Sequence, residues 1–179
     1  MRLAPCGPFL VRGSTCARVF ERRRRTGRQP RTLKARAIAL LARREYARAE
    51  LAARLAATGA PRDEVDSLLD ELQQLGLLSD ARFAGALVRQ KTSSHAQRAI
   101  ARELRERGVA KEVAAAALAE SGAVDELAAA QALWQRRFGR PPADEREKAR
   151  QIRFLLSRGY PPAVAFRVLR SAGARIEDD

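Results

Sequence analysis

Three glycines set at nearly equal intervals constrain this chain more than any other feature. Gly59, Gly108 and Gly159 lie 49 and 51 residues apart, and a near-constant period of this length marks a repeat architecture. Each closes a segment of one layout: ELAARLAATGAPRDEVDSLL, AIARELRERGVAKEVAAAAL and ARQIRFLLSRGYPPAVAFRVL. An amphipathic helix ends at the glycine, a short link follows, and a new helix begins with Val65, Val113 or Val164 in its first turn. The first copy has one extra residue in its link. Closing a helix commonly needs a residue at positive φ, which glycine adopts without steric penalty. Pro61 and Pro161 stand where the next helix begins, where proline's missing N–H costs nothing.

Each period also has room for a helix upstream. Leu33, Ala37, Leu40 and Leu41 recur at helical spacing in the first copy, Phe83 and Leu87 in the second, and Leu127, Ala130, Trp134 and Phe138 in the third. Ser79 and Asp144 are candidate N-caps. After Pro61 the stripe Val65, Leu68, Leu69, Leu72 and Leu75 runs to a stop at Gly76. The pattern predicts an all-α fold of three tandem three-helix repeats over residues 33–78, 79–121 and 122–172. A unit of about 50 residues has a small core, so neighbours must stack to bury enough surface, which predicts an elongated, curved body. FGRPPADE, residues 138–145, reads as a loop inside the third copy. Residues 1–32 read as a disordered basic tail, and 173–179 as a C-terminal tail.

Charge is unevenly placed. Of a net +14, residues 1–32 hold nine arginines and one glutamate. A positive balance of this size draws polyanions, so nucleic acid or a complex carrying it is the first partner to consider. Both cysteines, Cys6 and Cys16, fall in the tail, which leaves a disulfide framework or metal site without support and suits a reducing cytoplasm. The opening MRLAPCGPFLV is a poor secretory signal, broken by Pro5, Gly7 and Pro8; its arginine-rich, acid-poor make-up has only a superficial likeness to a transit peptide. No apolar run spans a bilayer. His95, the single histidine, lies in the polar stretch KTSSHAQ and reads as a solvated side chain. Phosphate-cradling loops and nucleophile elbows are absent from the sequence, so a binding protein without catalysis or cofactor is expected.

The basic residues have a pattern. At about 100° per residue, Arg98, Arg102 and Arg105 gather on one side of their helix, opposite Ile100 and Leu104. Arg146, Arg150 and Arg153 do the same, set against Ala149, Ile152 and Leu156. The first repeat offers Arg36 and Arg43, then Arg44, Arg48 and Arg54. Stacked repeats would align these faces as one track able to contact phosphates without reading bases. The competing reading makes them solubilising partners of Glu50, Glu103, Glu106 and Glu147. The aromatics Tyr46, Phe83, Trp134, Phe154 and Tyr160 are spread over several helices and read mostly as core, which disfavours a dedicated single-strand binder.

Four stretches together carry a resemblance: ALLARREYARAELAARLAATG, LDELQQLGLLSDARFAGALVRQK, QRAIARELRERGV and EKARQIRFLLSRGYPPAVAFRVLR. In order and spacing, across about residues 33–171, the chain resembles the RecX regulators of the RecA recombinase. The loop KTSSHAQ departs from that pattern in lacking a glycine. The resemblance implies a modular body of three three-helix repeats that binds the RecA filament on single-stranded DNA and limits strand exchange, ATP hydrolysis and co-protease activity. It implies a monomeric cytoplasmic protein with weak, sequence-independent affinity for single-stranded DNA and no membrane partner. On that footing Arg98, Arg102, Arg105, Arg146, Arg150 and Arg153 are expected to face the filament or its DNA, extended by Arg43, Arg44 and Arg48. Val65, Leu104, Leu155 and Val164 are expected in the core. Two other functions fit the residues: a direct DNA-binding regulator of helix-turn-helix type, and a helical scaffold for another protein.

Overall fold

The computed structural model describes residues 32–122 and 125–173. The tail expected over 1–32, save Thr32, lies outside the described residues, as does 174–179. Nine helices fill the described residues: α1 Leu33–Leu41, α2 Arg48–Ala56, α3 Arg62–Gln74, α4 Asp80–Lys91, α5 Gln97–Glu106, α6 Lys111–Glu120, α7 Glu126–Arg137, α8 Glu145–Ser157 and α9 Pro162–Ser171. Gly59, Gly108 and Gly159 take φ of 85°, 80° and 89°, the left-handed geometry expected of a helix-closing residue. Ser79 caps α4 by accepting from Arg82 N at 3.3 Å, and Asp144 caps α8 by accepting from Glu147 N at 2.6 Å.

The buried side chains form three clusters in chain order. The first holds Leu51, Leu55, Val65, Leu69 and Leu72; the second Phe83, Leu87, Ile100, Leu104 and Val109; the third Leu133, Trp134, Leu155, Tyr160 and Leu169. The clusters interlock through two alanines. Ala47, the N-cap of α2, is fully buried in the second cluster, and Ala96, the N-cap of α5, is 3% exposed in the third. Alanine caps a helix poorly because it offers no acceptor. Here each sits inside the apolar core of the next repeat, where a polar cap would lose its water.

Three expectations about the core are corrected. Leu75 is 57% exposed: the chain turns at Gly76, and Leu78, bonded through its N–H to Leu72 O, enters the first cluster instead. On α8 the buried residues are Gln151 and Leu155, while Ala149 and Leu156 are exposed and Ile152 is half-buried. The helix is turned from its expected orientation because the Gln151 amide is satisfied inside, its Oε1 accepting from Trp134 Nε1 at 2.7 Å. Its Nε2 donates to Arg140 O at 3.5 Å, tying the 138–145 loop to α8. Val164 is half-buried against the third cluster, while Val65, Leu104 and Leu155 are fully in the core as expected.

Candidate nucleic-acid interface

The second helix of each repeat, α2, α5 and α8, carries most of the expected arginines, so the joints between these helices decide what the arginines can do. At the first joint the end of α5 rests on the start of α2. A methyl group at Gly108 would stand 2.5 Å from the Ala49 methyl, far inside the contact distance of non-bonded carbons. At the second joint the end of α8 rests on the start of α5, and a methyl at Gly159 would stand 2.5 Å from the Ala99 methyl. Glycine is therefore required twice over, by its φ and by this close approach. The two joints set α8, α5 and α2 in series, each helix handing on to the start of the next.

Electrostatics fasten the first joint. Glu50 on α2 meets Arg44 at 2.6 Å, Arg107 at 3.4 Å and Arg54 at 3.6 Å, and Arg107 continues to Glu103 at 2.8 Å, which also binds Lys91. Burial pushes the Glu103 carboxyl up, but hydrogen bonds from Lys91 and Arg107 outweigh it and hold the group below its ordinary range. Asp80, the first residue of α4, accepts from Arg48 N at 2.7 Å. The acceptor that Ala47 lacks is thus supplied to α2 by the next repeat. A cleft of about 460 Å³ opens beside this joint between Arg44, Glu45, Phe83, Gln90, Lys91 and Arg107.

The second joint uses backbone carbonyls. Ala96 N donates to Arg158 O at 3.0 Å, Arg98 Nε donates to Gly159 O, and Arg136 Nη2 donates to Ser93 O at 2.9 Å. His95 lies here, half-buried, and not as the solvated side chain expected. Its ring bonds Ser94 Oγ at 2.9 Å and stands 3.4 Å from Arg158 Nη1. Burial, then the charges of Arg158 and Lys91, push the imidazole below its ordinary value, against a smaller opposing effect from Glu103. A cleft of about 300 Å³ adjoins, lined among others by His95, Gln97, Arg98, Glu126 and Tyr160.

The nine expected arginines divide accordingly. Arg44 and Arg48 are tied within the fold, Arg44 to Glu50 with its guanidinium 3.8 Å from the Tyr46 ring centre, and Arg48 to Asp70 at 2.8 Å and to Gln73. Arg98 is occupied at the second joint. The remaining six are exposed, as Arg44 and Arg98 are despite their partners. Arg102 pairs with Glu106 at 3.5 Å, with both side chains about two-thirds in solvent. Arg105 turns back to Ala101 O at 3.4 Å, and Arg150 lies over the Phe138 ring at 5.6 Å. Arg43, Arg146 and Arg153 have no carboxylate at ion-pair distance among the described residues. Arg107 and Arg158 were missed. Each immediately precedes a joint glycine, and the recurring Arg-Gly pair was the signal that marks them.

Among the described residues no group of three His, Cys, Asp or Glu side chains could hold a metal ion, and no helix is long and apolar enough to cross a membrane.

Comparison with known proteins gives one consistent result. Residues 79–118 match a family model described as RecX, second three-helix domain, and residues 124–169 one described as RecX, third three-helix domain. A protein of Ralstonia nicotianae named Regulatory protein RecX is 42% identical over 151 residues, covering 84% of this chain and 94% of that protein. Another of that name, from Chromobacterium violaceum, is 45% identical over 148 residues, covering 83% and 94%. The crystal structure of RecX from Lactobacillus salivarius shares the fold with a TM-score of 0.60 at 19% identity, over 79% of this chain and 94% of that one. At this identity and coverage the chain belongs to the RecX family of regulatory proteins.

Proposed function

We propose that this protein regulates a RecA recombinase filament on single-stranded DNA, restraining its strand exchange, ATP hydrolysis and co-protease activity. The reading takes residues 33–78, 79–121 and 122–172 as three docking modules of one cytoplasmic, monomeric chain. Arg102, Arg105, Arg146, Arg150 and Arg153 then meet the filament or its DNA, with Arg43 toward the other end. Arg44, Arg48 and Arg98 act indirectly: Arg98 holds the second joint, Arg44 shares Glu50 at the first, and Arg48 braces α2 against α3. The observation that carries the reading is the serial placement of α8 and α5, which sets the exposed guanidiniums of Arg146, Arg150, Arg153, Arg102 and Arg105 on consecutive helices. Arginine binds phosphate and carboxylate alike through charge-assisted pairs, so such a surface suits a polymer made of both protein and nucleic acid.

The test adds the purified protein to an active RecA filament on single-stranded DNA and follows ATP hydrolysis. Inhibition well below one protein per recombinase subunit is the expected result. Replacing Arg102 and Arg153 together by Ala should weaken inhibition while leaving helicity unchanged. If hydrolysis is unaffected while the protein binds one duplex sequence tightly, with a salt slope near −0.9 per phosphate, it is a direct DNA-binding regulator instead.

A further inference from the structure

The outer face of α9 carries an aromatic ring that the arginine track does not include. Phe166 is 38% exposed, and among the described residues the other large apolar side chains at the surface, Ile38, Leu75, Leu77 and Leu156, are all aliphatic. At about 100° per residue, Ala163, Phe166, Arg167 and Arg170 fall within about 100° of one another. All four are exposed, whereas Ala165, Val168 and Leu169 face the third cluster from the opposite side. The helix satisfies its core without Phe166. Arg167 adjoins the ring in sequence, and Arg170 follows about 6 Å further along the axis.

Single exposed apolar residues are ordinary on protein surfaces. A ring with two guanidiniums beside it on the same helix face is a more specific combination, because it offers a π-face for a base and cations for the neighbouring phosphates. A duplex keeps its base faces stacked inside, so the ligand that meets both features is single-stranded. Aromatic and arginine side chains also suit protein partners; the pair of cations beside the ring, spaced for neighbouring phosphates, points to a nucleic-acid strand.

We propose that this face of α9 is a contact site for single-stranded nucleic acid, with one base stacked on Phe166 and the neighbouring phosphates on Arg167 and Arg170. The proposal rests on the reading above for its setting, since the filament's DNA is single-stranded, and it adds a site outside the arginine track.

The test uses the full chain and oligothymidylate, without recombinase. In Phe166→Trp the introduced indole reports stacking directly. The native Trp134 is 6% exposed with its Nε1 held by Gln151, so it gives a steady background. Saturable quenching that weakens with salt is expected. Phe166→Leu should bind roughly tenfold more weakly at low salt, and Arg167→Ala with Arg170→Ala should lower the salt slope by about 1.4. Binding of oligothymidylate without quenching would place the strand elsewhere and overturn the proposal. So would unchanged affinity in Phe166→Leu, or equal quenching by polyglutamate, which would point to a protein ligand. Full inhibition of recombinase ATP hydrolysis by a protein that fails these arms would sink this site and leave the regulatory reading standing.

Discussion

The joint of α5 on α2 and the joint of α8 on α5 share a backbone device and differ in the chemistry around it. Both press a left-handed glycine onto an alanine of the preceding repeat. The first then adds a chain of alternating charges, Arg44, Glu50, Arg107, Glu103 and Lys91, and a carboxylate, Asp80, that caps the neighbour's helix. The second adds donors to carbonyl oxygens and a half-buried histidine beside Arg158. Steric fit therefore sets where the repeats meet, and the polar surroundings set how each joint responds to salt and pH.

The largest effect should come from adding a single methyl group. Gly108→Ala or Gly159→Ala combines left-handed strain with overpacking and is expected to cost about 3 kcal/mol in urea unfolding. Gly59→Ala is the control. Gly59 has the same φ and nothing within 4 Å of a Cβ, so only about 1 kcal/mol should be lost. Equal losses at all three sites would show that the close approach to alanine is unimportant.

Removing the charge at the first joint should have the next largest effect. Glu50→Gln leaves three arginines without their shared carboxylate and should cost about 1–2 kcal/mol at low salt. The deficit should shrink as salt rises, because screening already weakens the native pairs. The same salt series on Arg98→Ala should show a flatter response, since its partner at the second joint is a carbonyl. Asp80→Ala should cost about 1 kcal/mol and raise hydrogen exchange at the start of α2. Unchanged exchange there would rule out capping from the next repeat.

Acidification should separate the joints most gently. His95 is held below its ordinary 6.5, so the unfolded chain takes up a proton first, and stability falls as pH drops below about 6.5. His95→Gln should flatten that part of the profile. Glu103 is held below its ordinary 4.5, so its contribution is complete above that pH and is lost as pH falls through the lowered value. Hydrogen exchange along a pH series should show α5–α8 contacts loosening before α2–α5 contacts. The reverse order would break the comparison.

Much of this was legible without coordinates. The helix-closing glycines, the Ser79 and Asp144 caps and most of the core depend on a few consecutive residues, and the structure has them as expected. The orientation of α8 was not legible, because a buried glutamine reads as solvent-facing until its Trp134 partner is placed beside it. That Arg44, Arg48 and Arg98 are engaged by the fold was hidden for a similar reason. The partners of Arg48 and Arg98, Asp70 and Gly159 O, lie far along the chain, and the Glu50 that holds Arg44 is itself fixed by Arg107 of the next repeat. The same holds for His95, whose loop sequence resembles any solvated turn until Arg158 closes over it.

The helices, their number per period and the recurrence of the glycine turn follow from the order of amino acids alone. Helical periodicity and positive φ are properties of a few neighbouring residues. The assembly of the repeats buries Ala47 and Ala96 as N-caps, makes Asp80 the missing acceptor, and divides the arginines between those with partners in the fold and those without a carboxylate nearby. Those outcomes depend on groups well separated along the chain, 32 residues for Asp80 and Arg48 and 61 for Arg98 and Gly159, being brought within hydrogen-bond distance.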